Sequence, residues 1–236
     1  MTFEEKLYKE AKSVGAGLDG TALCRFATYY NMLITYNTHM NLTAITEEDE
    51  VIVKHFADSL CILGKIQVKE GAKVLDVGTG AGFPGIPLLI ARPDLKLTLL
   101  DGLNKRLVFL SDVLEKLSLE AEIVHSRAEE SGHNPKYREK FDLVTSRAVA
   151  RQSVLCEYCL PYTKKGGLFV AMKGPKGQEE LSESEKGIKL LGGEIREVAE
   201  YTLSDESART LIITEKVSPT PGKYPRHNSQ IKSKPL

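Results

Sequence analysis

The stretch Lys73-Val74-Leu75-Asp76-Val77-Gly78-Thr79-Gly80-Ala81-Gly82-Phe83-Pro84-Gly85 decides the fold. A short apolar run ending in Asp76-Val77 meets a cluster of glycines, and Ile86-Pro87-Leu88-Leu89-Ile90 then continues as a helix. That is the pattern of a buried parallel strand turning over a ligand. Gly78, Gly80 and Gly82 can take positive φ and carry no Cβ, so the backbone can approach a ligand whose polar atoms meet N–H groups near the helix start.

Spacing discriminates among the ligands such a turn serves. The dinucleotide pattern G-x-G-x-x-G, begun at Gly78 and Gly80, requires a third glycine where the chain has Phe83. The phosphate loop G-x-x-x-x-G-K-[ST], laid on Gly80 and Gly85, requires lysine where the chain has Ile86. What remains, D-x-G-x-G-x-G after a strand, is similar to the first motif of the S-adenosylmethionine-dependent methyltransferases. A tight turn without a ligand is the alternative reading.

Working outward, strands are expected near 73–77, 96–101, 121–125, 141–145 and 167–172, with helices near 85–91, 104–117, 151–160 and 177–191. This alternation argues for a parallel α/β sheet covered on both faces. Two late apolar runs, 194–202 and 208–215, suit an antiparallel hairpin at its edge. Upstream, Phe3, Leu7, Ala11 and Val14, then Leu23, Phe26, Ala27, Tyr30, Leu33 and Ile34, recur at helical spacing through residues 2–40. Thr46 is placed to cap a further helix that runs to about Gly64. The expected organisation is one domain: an N-terminal helical cap (1–65), a core (66–216) and a C-terminal tail (217–236).

The 236 residues are 42% hydrophobic and 27% charged, a globular composition. No apolar run approaches the ~20 residues of a membrane span, and the N-terminus lacks a basic region followed by an apolar one. A cytoplasmic protein without membrane attachment is expected. Cys156-x-x-Cys159 has no second pair and no nearby histidines, so core packing is expected and no metal site. The chain carries 32 basic and 32 acidic residues, but from Lys216 onward there are five basic residues and no acidic one. A positive tail on an acidic body can neutralise phosphates or be simply solvated.

Asp101 closes the second strand and can accept hydrogen bonds from both ribose hydroxyls of an adenosine-containing cofactor, or cap the helix that follows. Ala128 and Glu129, after the third strand, can present backbone groups to an adenine edge. The fourth strand opens into Thr145-Ser146-Arg147-Ala148-Val149-Ala150-Arg151. The Asn/Asp-Pro-Pro-aromatic turn of amino-group methyltransferases is absent there, as is the cysteine nucleophile of carbon-5 enzymes. Guanine N7 holds an exposed lone pair and loses no proton on methylation, so a site without a general base suits it, with catalysis by positioning and electrostatics. Arg147 can hold the cofactor's carboxylate or a phosphate, and Arg151 can face RNA. Asn41, His55 and Asp58 read as structural hydrogen-bonding partners.

Together these segments resemble one family almost end to end, the bacterial small-subunit rRNA guanine-N7 methyltransferases, or glucose-inhibited division protein B family. The resemblance rests on Asn41-Leu42-Thr43-Ala44-Ile45, His55-x-x-Asp58-Ser59-Leu60, the glycine turn with its Phe83-Pro84-Gly85 extension, Lys105-Arg106, Arg127-Ala128-Glu129, Ser146-Arg147-Ala148, Gly166-Gly167 with Lys173-Gly174, and Tyr224-Pro225-Arg226. It implies a Rossmann-like class I fold with a seven-stranded, mostly parallel sheet. It also implies S-adenosylmethionine as cofactor and transfer of its methyl group to N7 of a guanine in 16S rRNA, free or in the small ribosomal subunit, by a monomeric cytoplasmic enzyme. Gly78, Gly80, Phe83, Asp101, Ala128, Glu129 and Arg147 are then the expected cofactor positions, and Arg151, Lys173 and Arg226 the expected RNA contacts. The tail departs from the family pattern, with His227, Ser229 and Ile231 where a basic residue, glycine and proline usually stand.

Two rival readings are an NADP-dependent oxidoreductase, with Lys105 and Arg106 on a 2′-phosphate, and an RNA-binding protein with a vestigial fold. Asp101 would repel the 2′-phosphate, and a vestigial site has no physical reason to keep both the glycine turn and Asp101.

Overall fold

A computed structural model describes all residues, 1–236. Seven strands, β1 (Lys73–Val77), β2 (Lys96–Asp101), β3 (Ala121–His125), β4 (Phe141–Arg147), β5 (Thr163–Lys173), β6 (Gly193–Thr202) and β7 (Ala208–Lys216), form one sheet in the order β3-β2-β1-β4-β5-β7-β6. The pairs from β3 through β5 are parallel, whereas β7 runs antiparallel to both β5 and β6. This is the class I methyltransferase sheet. Strand order reverses between β1 and β4, so a crevice opens beyond their carboxyl ends, where ligands of open α/β sheets bind.

The helices that matter for the crevice are α5 (Gly85–Ala91), α6 (Asn104–Leu117), α7 (Ala128–Ser131) and α8 (Gln152–Cys159). Preceding the sheet are α1 (Phe3–Ser13), α2 (Gly20–Met40) and a helix of three parts: α3 (Glu48–Val51), a π-helical turn (Ile52–Ala57) and α4 (Asp58–Lys65). Thr2 and Glu5 form a reciprocal capping box on α1, and Asp19 caps α2 through Ala22 N–H at 2.7 Å. Leu7, Phe26, Tyr29, Leu33, Phe56 and Leu60 from these helices are fully buried and share a core with α5 and α6. The opposite face is covered by α8, α9 (Gly177–Ser182) and α10 (Glu185–Leu190), together with Tyr224 and Ile231 of the C-terminal segment, which ends in α11 (Asn228–Ser233).

The expected element boundaries need three corrections. Thr46 does not cap α3; Glu47 occupies that position without a side-chain bond, and the Thr46 carbonyl instead accepts from Tyr30 Oη at 3.3 Å. The helix expected over 177–191 is two helices, because Ser184 is buried and turns its hydroxyl onto the Leu181 carbonyl at 2.9 Å. β5 begins at Thr163 rather than 167, since Lys164-Lys165-Gly166-Gly167 forms an irregularity in the β4–β5 pairing, with Gly166 at φ +77°.

Candidate active site

Two cavities flank the segment Ala148-Val149-Ala150, which leaves the end of β4 and lines both. Ala148 takes φ +56°, a left-handed conformation costly for a residue with a Cβ, so the segment is held in a defined turn. Lys173, at the end of β5, donates from Nζ to the Ala150 carbonyl at 2.7 Å and to Glu180 Oε2 at 2.8 Å. On the other side Val149 lies over Gly78: a Cβ at Gly78 would fall 2.5 Å from Val149 Cγ2, and Gly78 already sits at φ +69°. Only glycine serves there.

The first cavity, about 310 Å³, lies at the ends of β1, β2 and β3. Gly78, Asp101, Ala128 and Glu129 line it as the sequence led one to expect. Asp101 is almost fully buried; Oδ2 accepts from Gly80 N–H at 2.9 Å and Oδ1 from Leu103 N–H at 2.8 Å. Arg106 Nη1 also reaches Oδ2, at 3.5 Å; these bonds fix the carboxylate against the glycine turn and leave a lone pair free on Oδ1. Ala128 and Glu129 open the first turn of α7, so their N–H groups are among the donors that a helix leaves without internal partners. Below the turn, Asp76 is fully buried; Oδ2 accepts from Thr79 Oγ1 and Gly85 N–H, Oδ1 has no partner, and burial pushes the carboxyl up to about 6.

The second cavity, about 550 Å³, lies between the π-helical turn and the ends of β4 and β5. Lys54, Arg147, Arg151, Lys173 and Arg209 line it against Asp58 and Glu180; Lys54 is also paired with Glu50 and Asp205, and Arg209 Nε lies 3.4 Å from Asp58 Oδ1, so the lining keeps a positive balance that is partly neutralised from its rim. Arg147 Nη1 donates to Asp58 Oδ2 at 3.0 Å and to the Lys54 carbonyl at 2.9 Å, and Nη2 donates to His55 Nδ1 at 3.1 Å. Because arginine only donates, His55 Nδ1 accepts, so the ring proton sits on Nε2 and points to Thr43 Oγ1 at 2.8 Å. Burial first, and the Arg147 charge second, lower the His55 pKa to about 3. Asp58 Oδ1 also accepts from Tyr201 Oη at 2.9 Å. Neither His55 nor Asp58 is left as a free base; both orient Arg147.

Gly80 and Phe83 do not line the first cavity. Phe83 is 5% exposed, with His55 stacked at 4.5 Å and the Arg147 guanidinium 4.9 Å from its ring centroid. It joins the glycine turn to Arg147 rather than facing a ligand with its ring.

The RNA contacts expected from the sequence divide. Arg151 is exposed and pairs only with the exposed Glu183 at 2.6 Å, an interaction of small worth that a phosphate can replace. Lys173 lines the cavity, but its charge is neutralised by Glu180. Arg226 is not on this face: its Nε and Nη2 bind the fully buried Glu157 of α8 at 2.9 and 2.6 Å, and its backbone N–H donates to the same carboxylate at 2.7 Å. Lys216 is likewise fully buried, on Glu139 and the carbonyls of Leu160 and Thr163. Two of the five basic residues from Lys216 onward are thus docked, whereas Lys223, Lys232 and Lys234 are exposed. Lys54, Arg209, Tyr158, Asn228 and Lys232 line the cavities without having been singled out; apart from Asn228 and Lys232, which share α11, they lie far apart in the chain and form no local motif.

The family described as GidB, rRNA small subunit methyltransferase G, matches residues 23–209. The chain belongs to this family. It is 54% identical over 216 residues, 90% of each chain, to the ribosomal RNA small subunit methyltransferase G of Lactobacillus delbrueckii subsp. bulgaricus. It is 50% identical over 227 residues to the corresponding protein of Lachnoclostridium phytofermentans, covering 95% of this chain and 94% of that one. Among solved structures it is similar to a SAM-dependent O-methyltransferase from Thermotoga maritima, with TM-score 0.53 and 18% identity over 79% of this chain and 71% of that one, which speaks for the fold alone. The oxidoreductase reading fails on family membership. No helix is long and apolar enough to cross a membrane, and no cluster of side chains has the composition of a metal site.

Proposed function

We propose that this methyltransferase moves a methyl group from S-adenosylmethionine in the first cavity to N7 of a guanine of 16S rRNA in the second, past the Ala148–Ala150 wall. The observation that carries the reading is the pairing of an adenosine-compatible cavity with a cationic one across that single wall. S-adenosylmethionine, when bound, supplies a methyl group on a positively charged sulfur. The residues fit it. Asp101 presents a free lone pair on Oδ1 for a ribose hydroxyl, with its Oδ2 contact to Arg106 long enough, at 3.5 Å, to yield to the second; Ala128 and Glu129 present unpaired N–H groups for a base edge, and the buried Asp76 oxygen without a partner favours a cation at the glycine turn.

Arg147 lines the second cavity and not the first, next in the chain to the Ala148–Ala150 wall and against the Phe83 ring of the glycine turn. Three of its five N–H groups are assigned to Asp58, Lys54 and His55, leaving two for the cofactor's carboxylate. No residue of the second cavity is arranged to remove a proton, which selects an acceptor that keeps all of its protons, and guanine N7 is one. Lys54, Arg151 and Arg209 attract the RNA backbone and hold the base by charge and shape.

The test is methylation of 16S rRNA from a strain lacking this gene with radiolabelled S-adenosylmethionine, followed by aniline treatment, which cuts at 7-methylguanosine. Incorporation with cleavage at one guanine is expected. Incorporation without cleavage contradicts the N7 assignment, and no incorporation into rRNA or subunits contradicts the reading as a whole.

A further inference from the structure

The C-terminal segment has a place at the first cavity that its charge does not foretell. Tyr224 is buried, Pro225 packs on Gly132 at the end of α7, and the Pro225 carbonyl accepts from His133 Nε2 at 2.7 Å. Arg226 then locks onto the buried Glu157, and its Nη2 also holds the Lys234 carbonyl at 3.1 Å, closing the loop around α11. Within α11, Ile231 is fully buried in the core beside α8. Asn228 and Lys232, one helical turn apart, line the cavity beside Ala128 and Glu129.

The residues that depart from the family pattern build this helix. His227 Nδ1 caps α11 through Ser229 N–H, and Ile231, where proline usually stands, supplies the buried anchor. Asn228 is fixed in turn: Tyr158, a buried phenol whose pKa burial raises to about 12, donates to Asn228 Oδ1 at 2.6 Å. That bond leaves Asn228 Nδ2 as a donor without a protein partner, on a residue that lines the same cavity as Ala128 and Glu129.

We propose that α11 is a wall of the cofactor site, in which Asn228 Nδ2 donates to the adenine base and Lys232 covers the rim, so that the C-terminal segment sets cofactor affinity rather than serving as an RNA arm. This rests on reading the first cavity as the S-adenosylmethionine site. A purine offers ring-nitrogen acceptors that Nδ2 complements, whereas the α7 amides alone complement only one edge.

The test is calorimetric titration of the full chain with S-adenosylmethionine and, separately, with adenosine. Asn228→Asp keeps the acceptor for Tyr158 and removes the donor; Asn228→Ala removes both. A fall of about fivefold to tenfold in affinity for both ligands is expected, as for loss of one buried hydrogen bond, with the melting temperature of Asn228→Asp near that of the parent. Asp101→Ala is titrated in parallel. If Asp101→Ala weakens binding while Asn228→Asp and Asn228→Ala bind as tightly as the parent, the wall is overturned and the cofactor site stands. If Asp101→Ala also leaves affinity unchanged, the reading of the cavity itself fails, and the wall with it.

Discussion

Arg147 Nη1 lies 3.0 Å from Asp58 Oδ2, a contact that fastens the end of β4 to the helix preceding the sheet. With His55 and the Lys54 carbonyl it makes the cap part of the second cavity's wall, because the Arg147 guanidinium is oriented from the cap side.

Arg147→Ala therefore removes the group assigned to the cofactor's carboxylate. Affinity for S-adenosylmethionine is expected to fall about tenfold or more while affinity for adenosine, which lacks that carboxylate, stays within a factor of about two. Calorimetry on the two ligands checks this. Equal losses for both would place Arg147 elsewhere.

His55 gives a pH signature. Its folded pKa of about 3 lies below the ordinary value near 6.5, so between those values the unfolded chain binds the extra proton and stability falls as pH falls. From pH 7 to pH 5 this removes about 2 kcal/mol. Asp76, pushed up to about 6, works in the opposite sense over part of that window, so the comparison must be with a variant. His55→Gln, which keeps an acceptor for Arg147 and does not titrate, is expected to gain on the parent by about that amount between pH 7 and 5 in denaturant unfolding. Parallel curves would contradict the assignment.

Arg226→Ala leaves the fully buried Glu157 without its partner and is expected to destabilise the fold by about 3 kcal/mol. Because Arg226 is turned away from the second cavity, the salt dependence of RNA binding should not change. A small loss of stability together with a shallower salt slope would restore it to the RNA interface.

Arg151→Ala is expected to do the reverse. It removes only an exposed pair with Glu183, so stability should shift by less than about 0.5 kcal/mol, while the slope of log affinity for rRNA against log salt falls by roughly one. Filter binding over a salt series reads this. An unchanged slope would take Arg151 off the phosphates.

Much of the fold was legible because period and punctuation agree: β1, β2 and β3, and helices α5 and α6, lie where the apolar runs and glycines put them. The glycine turn announced the first cavity for the same reason, since only glycine tolerates the backbone at Gly78. Distance in the chain hid the rest. Arg226 and Glu157 are 69 residues apart and only tertiary packing brings them together, so the tail read as a free basic arm. Phe83 sits inside a ligand-binding motif yet turns its ring to His55 and Arg147, an orientation set by the cap. The strand was expected to begin only at residue 167 because the irregularity over Lys164 to Gly167 uses the residues of a loop.

The central claim is that the site methylates a lone pair without a general base, and the pH dependence of the methyl-transfer step tests it most directly. Single-turnover rates with saturating S-adenosylmethionine and rRNA should stay level from about pH 6 to pH 9, since His55 titrates near 3 and guanine N7 carries no proton to lose. A rate that climbs tenfold per pH unit to a plateau near neutrality would show a base at work and contradict the account.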